Sequence, residues 1–211
     1  GKVGYYALTK KDDVKVELTC SERVAFHQYT FPDNGAQVYV DLQHGLRFLF
    51  DEQSQQGLVI ESDVKIENNT TISGFCATQN WVSRKYYFTI TFDQPIINLN
   101  HLDPKTKDKA PKYLLDITLA NNKILKVKIA LSSVAVDGAK LNMQTEIPHW
   151  NFEKVYQSNL ASWETYLDKI NIEAPLKQME IFYTSLYHLF LQPSNIADVD
   201  GKYRGVDDKI A

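Results

Sequence analysis

Between residues 5 and about 131 the chain is a series of short runs in which apolar and polar side chains alternate, separated by polar turns, with no stretch at helical spacing. This constrains the fold more than any other feature, because successive side chains of a strand point to opposite faces and a two-residue period marks a half-buried strand. Val14, Val16 and Leu18 alternate with Lys15, Glu17 and Thr19. Ser21 and Glu22 turn the chain into a run over 23–31, closed by Pro32-Asp33-Asn34-Gly35. The pattern continues over 36–42, 57–67, 71–78 and 85–92, where Asp93-Gln94-Pro95 ends it, and over 113–119 and 124–131. Ala120-Asn121-Asn122-Lys123 between the last two reads as a hairpin turn in which asparagine takes positive φ. The segment 101–112, rich in Lys, Asp and Pro, reads as an exposed loop. About nine short strands without an intervening helix imply an antiparallel β-sandwich.

The period changes after Asn142. Asn151 is a good N-cap, and Lys154 three residues on means that no capping box forms. Phe152, Val155, Tyr156, Leu160, Trp163 and Leu167 then recur at three- and four-residue steps, which predicts an amphipathic helix of roughly 17 residues. Asn171-Ile172-Glu173-Ala174-Pro175 breaks it. A second helix is expected over 176–191, with Met179, Phe182, Tyr183, Leu186, Tyr187, Phe190 and Leu191 as its apolar surface and Pro193 beyond its end. That arc is too wide for a helix leaning on one sheet and calls for neighbours on two sides. The expected division is a sandwich over 1–145, a linker helix over 146–174, and over 175–211 the beginning of a second, helical domain of which the chain is a fragment.

A net charge of -3 argues against a nucleic-acid partner, since phosphate contact needs a basic surface. No apolar run reaches the length of a membrane span. Cys20 and Cys76 lack the paired spacing of a zinc site, and two buried free thiols are the plainer expectation beside a disulfide. Asn68-Asn69-Thr70-Thr71 holds two overlapping glycosylation acceptors, whose plainer reading is a polar turn.

The densest chemistry follows the second helix, in Asp198-Val199-Asp200-Gly201-Lys202-Tyr203-Arg204-Gly205. Three readings of these residues compete. A calcium loop of the EF-hand kind would need more oxygen ligands at fixed spacing and a terminal glutamate. An Asp–Arg salt bridge through Arg204 would brace a tight loop. A sugar site would use the carboxylates as acceptors, Arg204 as donor and the Tyr203 ring for stacking. His188 and His27 read as hydrogen-bonded structural residues. Trp150 and Trp163 are expected to pack the helices against the sandwich, and Trp81, at a strand end, is core or a sugar-stacking ring. No Ser-His-Asp set, phosphate-cradling glycine loop or metal-binding histidine pair is visible.

Four segments occur together in one order: the strand from Val16 to Pro32 with Glu22-Arg23-Val24-Ala25-Phe26-His27-Gln28-Tyr29, the junction Ala139-Lys140-Leu141-Asn142 with Glu146-Ile147-Pro148, the helix from Ile181 to Leu191, and the loop from Asp198 to Gly205. In this the chain resembles the glycoside hydrolase family 92 α-mannosidases, over nearly its whole length. The resemblance implies a mainly β fold: an antiparallel β-sandwich followed by linker helices and the start of a truncated helical (α/α)6 barrel domain. It implies an exo-acting, calcium-dependent, inverting enzyme that releases mannose from terminal α-mannosides such as N-glycan α-1,2-mannose. Calcium would bind in the complete enzyme through residues mostly outside this chain, and the general acid and base, about 6.5–9.5 Å apart in inverting enzymes, would lie in the barrel. This chain would then hold no catalytic residue and no metal ligand, and would be inactive alone. Asp198, Asp200, Tyr203 and Arg204 carry over as the border of the sugar subsite, one aspartate accepting from mannose hydroxyls and Arg204 orienting it. The implied partners are mannose-containing glycans and the C-terminal helical catalytic domain of the same protein; the implied location is secreted, periplasmic or at a bacterial cell surface. The rival readings are a stand-alone carbohydrate-binding β-sandwich and a purely structural sandwich.

Overall fold

The computed structural model describes residues 1–42, 58–79, 83–102 and 112–211. Its strands form two antiparallel sheets. The larger has seven, in the order β1 (Tyr6–Thr9), β2 (Lys15–Cys20), β3 (Val24–Thr30), β10 (Ile124–Ser132), β7 (Ser83–Phe92), β6 (Thr71–Gln79) and β5 (Leu58–Asn68). The smaller has three, in the order β4 (Gly35–Asp41), β9 (Lys112–Thr118) and β8 (Ile96–Leu102). Three helices follow β10: α1 (Val136–Glu146), α2 (Phe152–Leu167) and α3 (Leu176–Phe190). The mainly β sandwich with trailing helices expected from the sequence is the fold observed.

The alternation on β10 shows why the large sheet is covered twice. Leu125 and Val127 point into the sandwich, where they meet Ala36, Leu115, Ile117, Ile72, Phe88 and Phe92. Lys128 and Ala130 point the other way. On that second face Val24, Phe26 and Ala130 pack against Ala139, Met143 and Ile147 of the α1 region and Phe152 and Val155 of α2. Each large side chain so buried contributes about 1.5–3 kcal/mol, so both faces of the sheet are held by comparable apolar layers.

The lysine of this second face ends α1. The Lys128 amine is buried, donates to the Ile147 carbonyl at 3.0 Å and lies 4.2 Å from the Trp150 ring centroid. A cation there meets the negative end of the helix, while burial pushes its pKa down.

Four expectations need correction. Residues 120–123 do not close a hairpin: β9 pairs with β4 and β8, whereas β10 pairs with β3 and β7, so the turn crosses between sheets. Leu115 and Ile117 face Leu125 and Val127 across the core instead of lying beside them. The positive φ of that turn, 56°, falls on Lys123 and not on an asparagine. Part of the expected loop, His101 and Leu102, completes β8, whose alternation is broken by a bulge between Ile96 and Asn98; the rest, 103–111, lies outside the described residues. Helix α1 was not expected. Its apolar face is Ala139, Met143 and Ile147 alone, and Gly138 and Asn142 are poor helix formers that mask it.

Helix α2 begins as expected, with the Asn151 side chain accepting from the Lys154 amide at 3.0 Å. Only its first turns are buried on the sheet. Its other half leaves the sheet, so Trp163 packs on Tyr187 of α3 at 4.5 Å between centroids and not on the sandwich; Trp150 does pack there, edge-on to Phe26 at 5.9 Å. Leu186 is the one buried residue of α3, while Ile181 and Leu189 are 60% and 67% exposed. The wide apolar arc thus has one neighbour, α2, among the described residues. Both cysteines are free, but Cys20 is exposed and Cys76 half-buried.

Candidate functional site

The segment after α3 returns to the sandwich and docks over the start of α1. Arg23, Ser132 and Asn142 hold it, together with its own Asp198. Arg23, at the turn between β2 and β3, donates Nε to the Ala197 carbonyl at 2.6 Å and Nη1 to Glu146 Oε1 at 2.6 Å. Glu146 Oε2 in turn accepts from Ser21 Oγ at 2.5 Å and the Arg23 amide at 3.0 Å. Beneath the loop the carboxylate of Asp198, 4% exposed, accepts from Ser132 Oγ at 2.6 Å and from Asn142 Nδ2 at 2.8 Å. Asn142 also accepts from the Val199 amide at 2.9 Å. Ser132 Oγ accepts from the amides of Val134 and Ala135, which precede α1. The helix has no side-chain cap of its own at Ala135; the Asp198 carboxylate lies against its first turn, where negative charge is favoured.

Gly138 makes this approach feasible. A Cβ there would stand 2.3 Å from Asp198 Oδ2 and 2.6 Å from Ser132 Oγ. The carboxylate occupies the space that any other residue would fill.

Arg204 is a second anchor. Its Nε donates to the Ser133 carbonyl at 2.9 Å, Nη2 to the Val134 carbonyl at 3.1 Å, and Nη1 to Asp208 Oδ1 at 3.1 Å. The bracing Asp–Arg pair considered from the sequence therefore exists, but with Asp208. Arg204 orients neither Asp198 nor Asp200, because three of its donors are turned toward the strand end and the chain terminus. Paired amides and carbonyls of Tyr203 and Ala211, both at 3.0 Å, close the segment into a small hairpin.

Two of the expected residues are left facing outward. Asp200 is exposed, its carboxylate taking the Lys202 ammonium at 2.7 Å and the Lys202 amide at 3.1 Å. The Lys202 contacts hold its carboxyl below the usual carboxylate range, so it is an acceptor at neutral pH. Tyr203 is 40% exposed. Gly201, at φ 86°, supplies the left-handed turn between them. The loop is thus two-sided: Asp198 and Arg204 fasten it, and Asp200 and Tyr203 are presented.

A cleft of about 460 Å³ lies beside the loop, between Arg204, Val206 and Asp208 on one side and Ala77, Arg84 and Tyr86 of the β6–β7 strands on the other. Asp200 and Tyr203 lie outside its lining. Trp81, between those strands, is outside the described residues. A second polar cleft, about 450 Å³ between Tyr5, Glu17 and Tyr156, gathers none of the expected residues; its Glu17 already accepts from Tyr5 at 2.8 Å and Gln28 at 3.1 Å.

Among the described residues no three His, Cys, Asp or Glu side chains converge. In the loop Asp198 serves Ser132 and Asn142, Asp200 serves Lys202, and Asp208 serves Arg204. These residues do not fit a calcium site. His27 faces the half-buried Tyr29, Nδ1 to hydroxyl 2.7 Å, and burial lowers its pKa. His188 is exposed in the last turn of α3.

The sequence motifs pointed to the loop but not to what supports it. Arg23 and Asn142 sat inside recognised runs without an assigned role; Ser132 and Gly138 were missed. A glycine and an asparagine at i and i+4 in one short apolar-poor segment were the available signal, since such residues are placed in helices for close approach or hydrogen bonding and not for propensity.

A β-sandwich whose far face carries the helices, with a polar loop fastened at their junction, is an architecture that comparison can place. Residues 1–132 match the Glycosyl hydrolase family 92 N-terminal domain and residues 138–211 match the Glycosyl hydrolase family 92 catalytic domain. The chain belongs to glycosyl hydrolase family 92. A family GH92 alpha-mannosidase from Bacteroides thetaiotaomicron is 29% identical, with a TM-score of 0.87 over 99% of this chain and 29% of that one. The family GH92 inverting mannosidase from Bacteroides thetaiotaomicron VPI-5482 shares the fold at 20% identity, TM-score 0.82, over 98% of this chain and 28% of that one. An uncharacterized secreted glycosidase of Arthroderma benhamiae is 24% identical over 91% of this chain and 28% of its own length. The chain thus spans under a third of the length of these relatives.

Proposed function

We propose that the complete protein is an exo-acting, inverting α-mannosidase acting on terminal α-mannosides of mannose-containing glycans, N-glycan α-1,2-mannose among them. This chain supplies the sandwich, the linking helix and the beginning of the helical catalytic domain, divided near 145 and 175. The observation that carries this reading is the match of one chain to both domains of the family, together with a 0.87 TM-score to a GH92 alpha-mannosidase at 29% identity. The match at 138–211 to a catalytic domain argues against a stand-alone binding module.

The part played by the residues here is to build and hold one border of the sugar subsite. Asp200 accepts hydrogen bonds from mannose hydroxyls, and Tyr203 offers its ring face to the sugar. Asp198 acts beneath them, since both its oxygens are engaged and it is buried. Arg204 keeps the loop on the end of β10. The general acid and base lie in the helical domain outside this chain, spaced to leave room for the attacking water. Calcium is held mostly there too, because the loop's Asp198, Asp200 and Asp208 are already committed to Ser132 and Asn142, Lys202 and Arg204. Secretion, periplasmic residence or cell-surface attachment fits a glycan substrate and the secreted relative. No helix of the described residues is long and apolar enough to cross a membrane.

The test is release of mannose from linkage-defined α-mannobioses by the complete protein, with and without a chelator. Calcium-dependent release is expected, with Asp200→Ala reducing turnover far more than Asp116→Ala on β9. Equal effects of the two substitutions would remove the loop from the sugar subsite.

A further inference from the structure

We propose that Asn142 is a positioning residue that sets the geometry of the Asp200 loop from inside the protein, acting through Asp198 and Val199. The inference rests on the reading of 198–205 as a subsite border.

Asn142, on α1, is fully buried and bonds to both β10 and the loop. Its Nδ2 donates to the Leu131 carbonyl on β10 at 2.9 Å and to Asp198 Oδ1 at 2.8 Å, while its Oδ1 accepts from the Val199 amide at 2.9 Å. An amide offers two N–H donors and one carbonyl acceptor on a single plane. Here each faces its complement: a carbonyl, a carboxylate and an N–H. Turning the amide over would set its oxygen against a carbonyl and a carboxylate, so one orientation is enforced. The side chain therefore fixes both the direction of the Asp198 carboxylate and the place of the Val199 peptide.

Those two positions determine where Asp200 stands. The Asp198 carbonyl accepts from the Gly201 amide at 2.9 Å, and its amide donates to the Lys202 carbonyl at 2.8 Å, so the turn bearing Asp200 is built directly on Asp198. Buried hydrogen-bonded groups of this kind do more than add stability. What they do well is select one arrangement of the groups they join. Asn142 has no surface of its own, so it acts on a sugar only through the loop.

The test uses the complete protein and three variants: Asn142→Leu, Asp200→Ala and the double substitution, with Leu125→Ala in the sandwich core as a control for lost stability alone. Backbone hydrogen exchange over 195–205 is measured beside steady-state mannose release. Asn142→Leu should speed exchange at 198–204 by about tenfold or more while leaving β10 unchanged, and should lower kcat/KM by about tenfold or more. The double variant should be no worse than Asp200→Ala by more than about threefold, since both act through one loop. Leu125→Ala should lower the melting temperature without either effect. Losses that multiply in the double variant, or a loop whose exchange is unmoved by Asn142→Leu, would overturn the proposal. If the unmutated protein releases no mannose, the mannosidase reading fails by itself and the exchange result alone decides whether Asn142 positions the loop.

Discussion

Gly138→Ala gives an unusually clear sign test of the loop's anchorage. On helix propensity alone, replacing glycine by alanine inside α1 should stabilise the protein by about 1 kcal/mol. The structure predicts the opposite. The new methyl would lie 2.3 Å from Asp198 Oδ2 and 2.6 Å from Ser132 Oγ, well inside contact distance. Gly138 is held in the hydrogen-bonded ladder of α1 whereas Asp198 is carried by a loop, so the carboxylate gives way before the helix does. Its bonds from Ser132 and Asn142 then break, each a hydrogen bond to a charged group worth about 1.5–3 kcal/mol. Subtracting the propensity gain leaves a net loss of roughly 2–5 kcal/mol. For a chain of this length that lowers the melting temperature by roughly 4–20 °C. Urea unfolding followed by circular dichroism would measure it. A Gly138→Ala protein as stable as the parent, or more so, would mean that the carboxylate does not lie on α1 and would remove the basis for its structural role.

Two other perturbations probe the frame around the loop. Arg23→Ala leaves Glu146 without its guanidinium in a pair whose side chains are only 16% and 12% exposed, and should destabilise by about 2–3 kcal/mol because a nearly buried charge loses its partner; a change under about 0.5 kcal/mol would place the pair among solvent-screened ones. His27, whose pKa burial lowers, titrates near 6.5 in the unfolded chain and lower when folded. Between those values the unfolded state binds more protons, so its contribution to stability falls as pH drops from 6.5. His27→Gln should flatten the urea midpoint between pH 7 and 5 relative to the parent; an unchanged slope would contradict a buried neutral imidazole.

The two-residue period made most of the sandwich readable, because strands such as β4 and β9 of the small sheet bury alternate residues, while the central strands of the large sheet, covered on both faces, alternate less. It did not show which strands pair. Residues 113–119 and 124–131 look like a hairpin because a short polar turn joins them, yet their apolar faces oppose each other across the core. Pairing is a long-range outcome that local turn chemistry does not fix. The loop at 198–205 stood out through its residue types, whereas its supports did not. Asn142 and Gly138 matter for what reaches them from 56 and 60 positions away in sequence; their residue types hint at a close approach, but no local pattern names the partner. Asp198 and Asp200 look equivalent in a string of letters. Burial separates them: one is held inside by Ser132 and Asn142, the other is at the surface beside Lys202.

The most direct measurement on the central claim is proton NMR of the first sugar that the complete protein releases from an α-1,2-mannobiose in the presence of calcium. The account predicts β-mannose as the initial product, with the signal nearly abolished by Asp200→Ala. Initial release of α-mannose, or full activity in the Asp200→Ala protein, would contradict it.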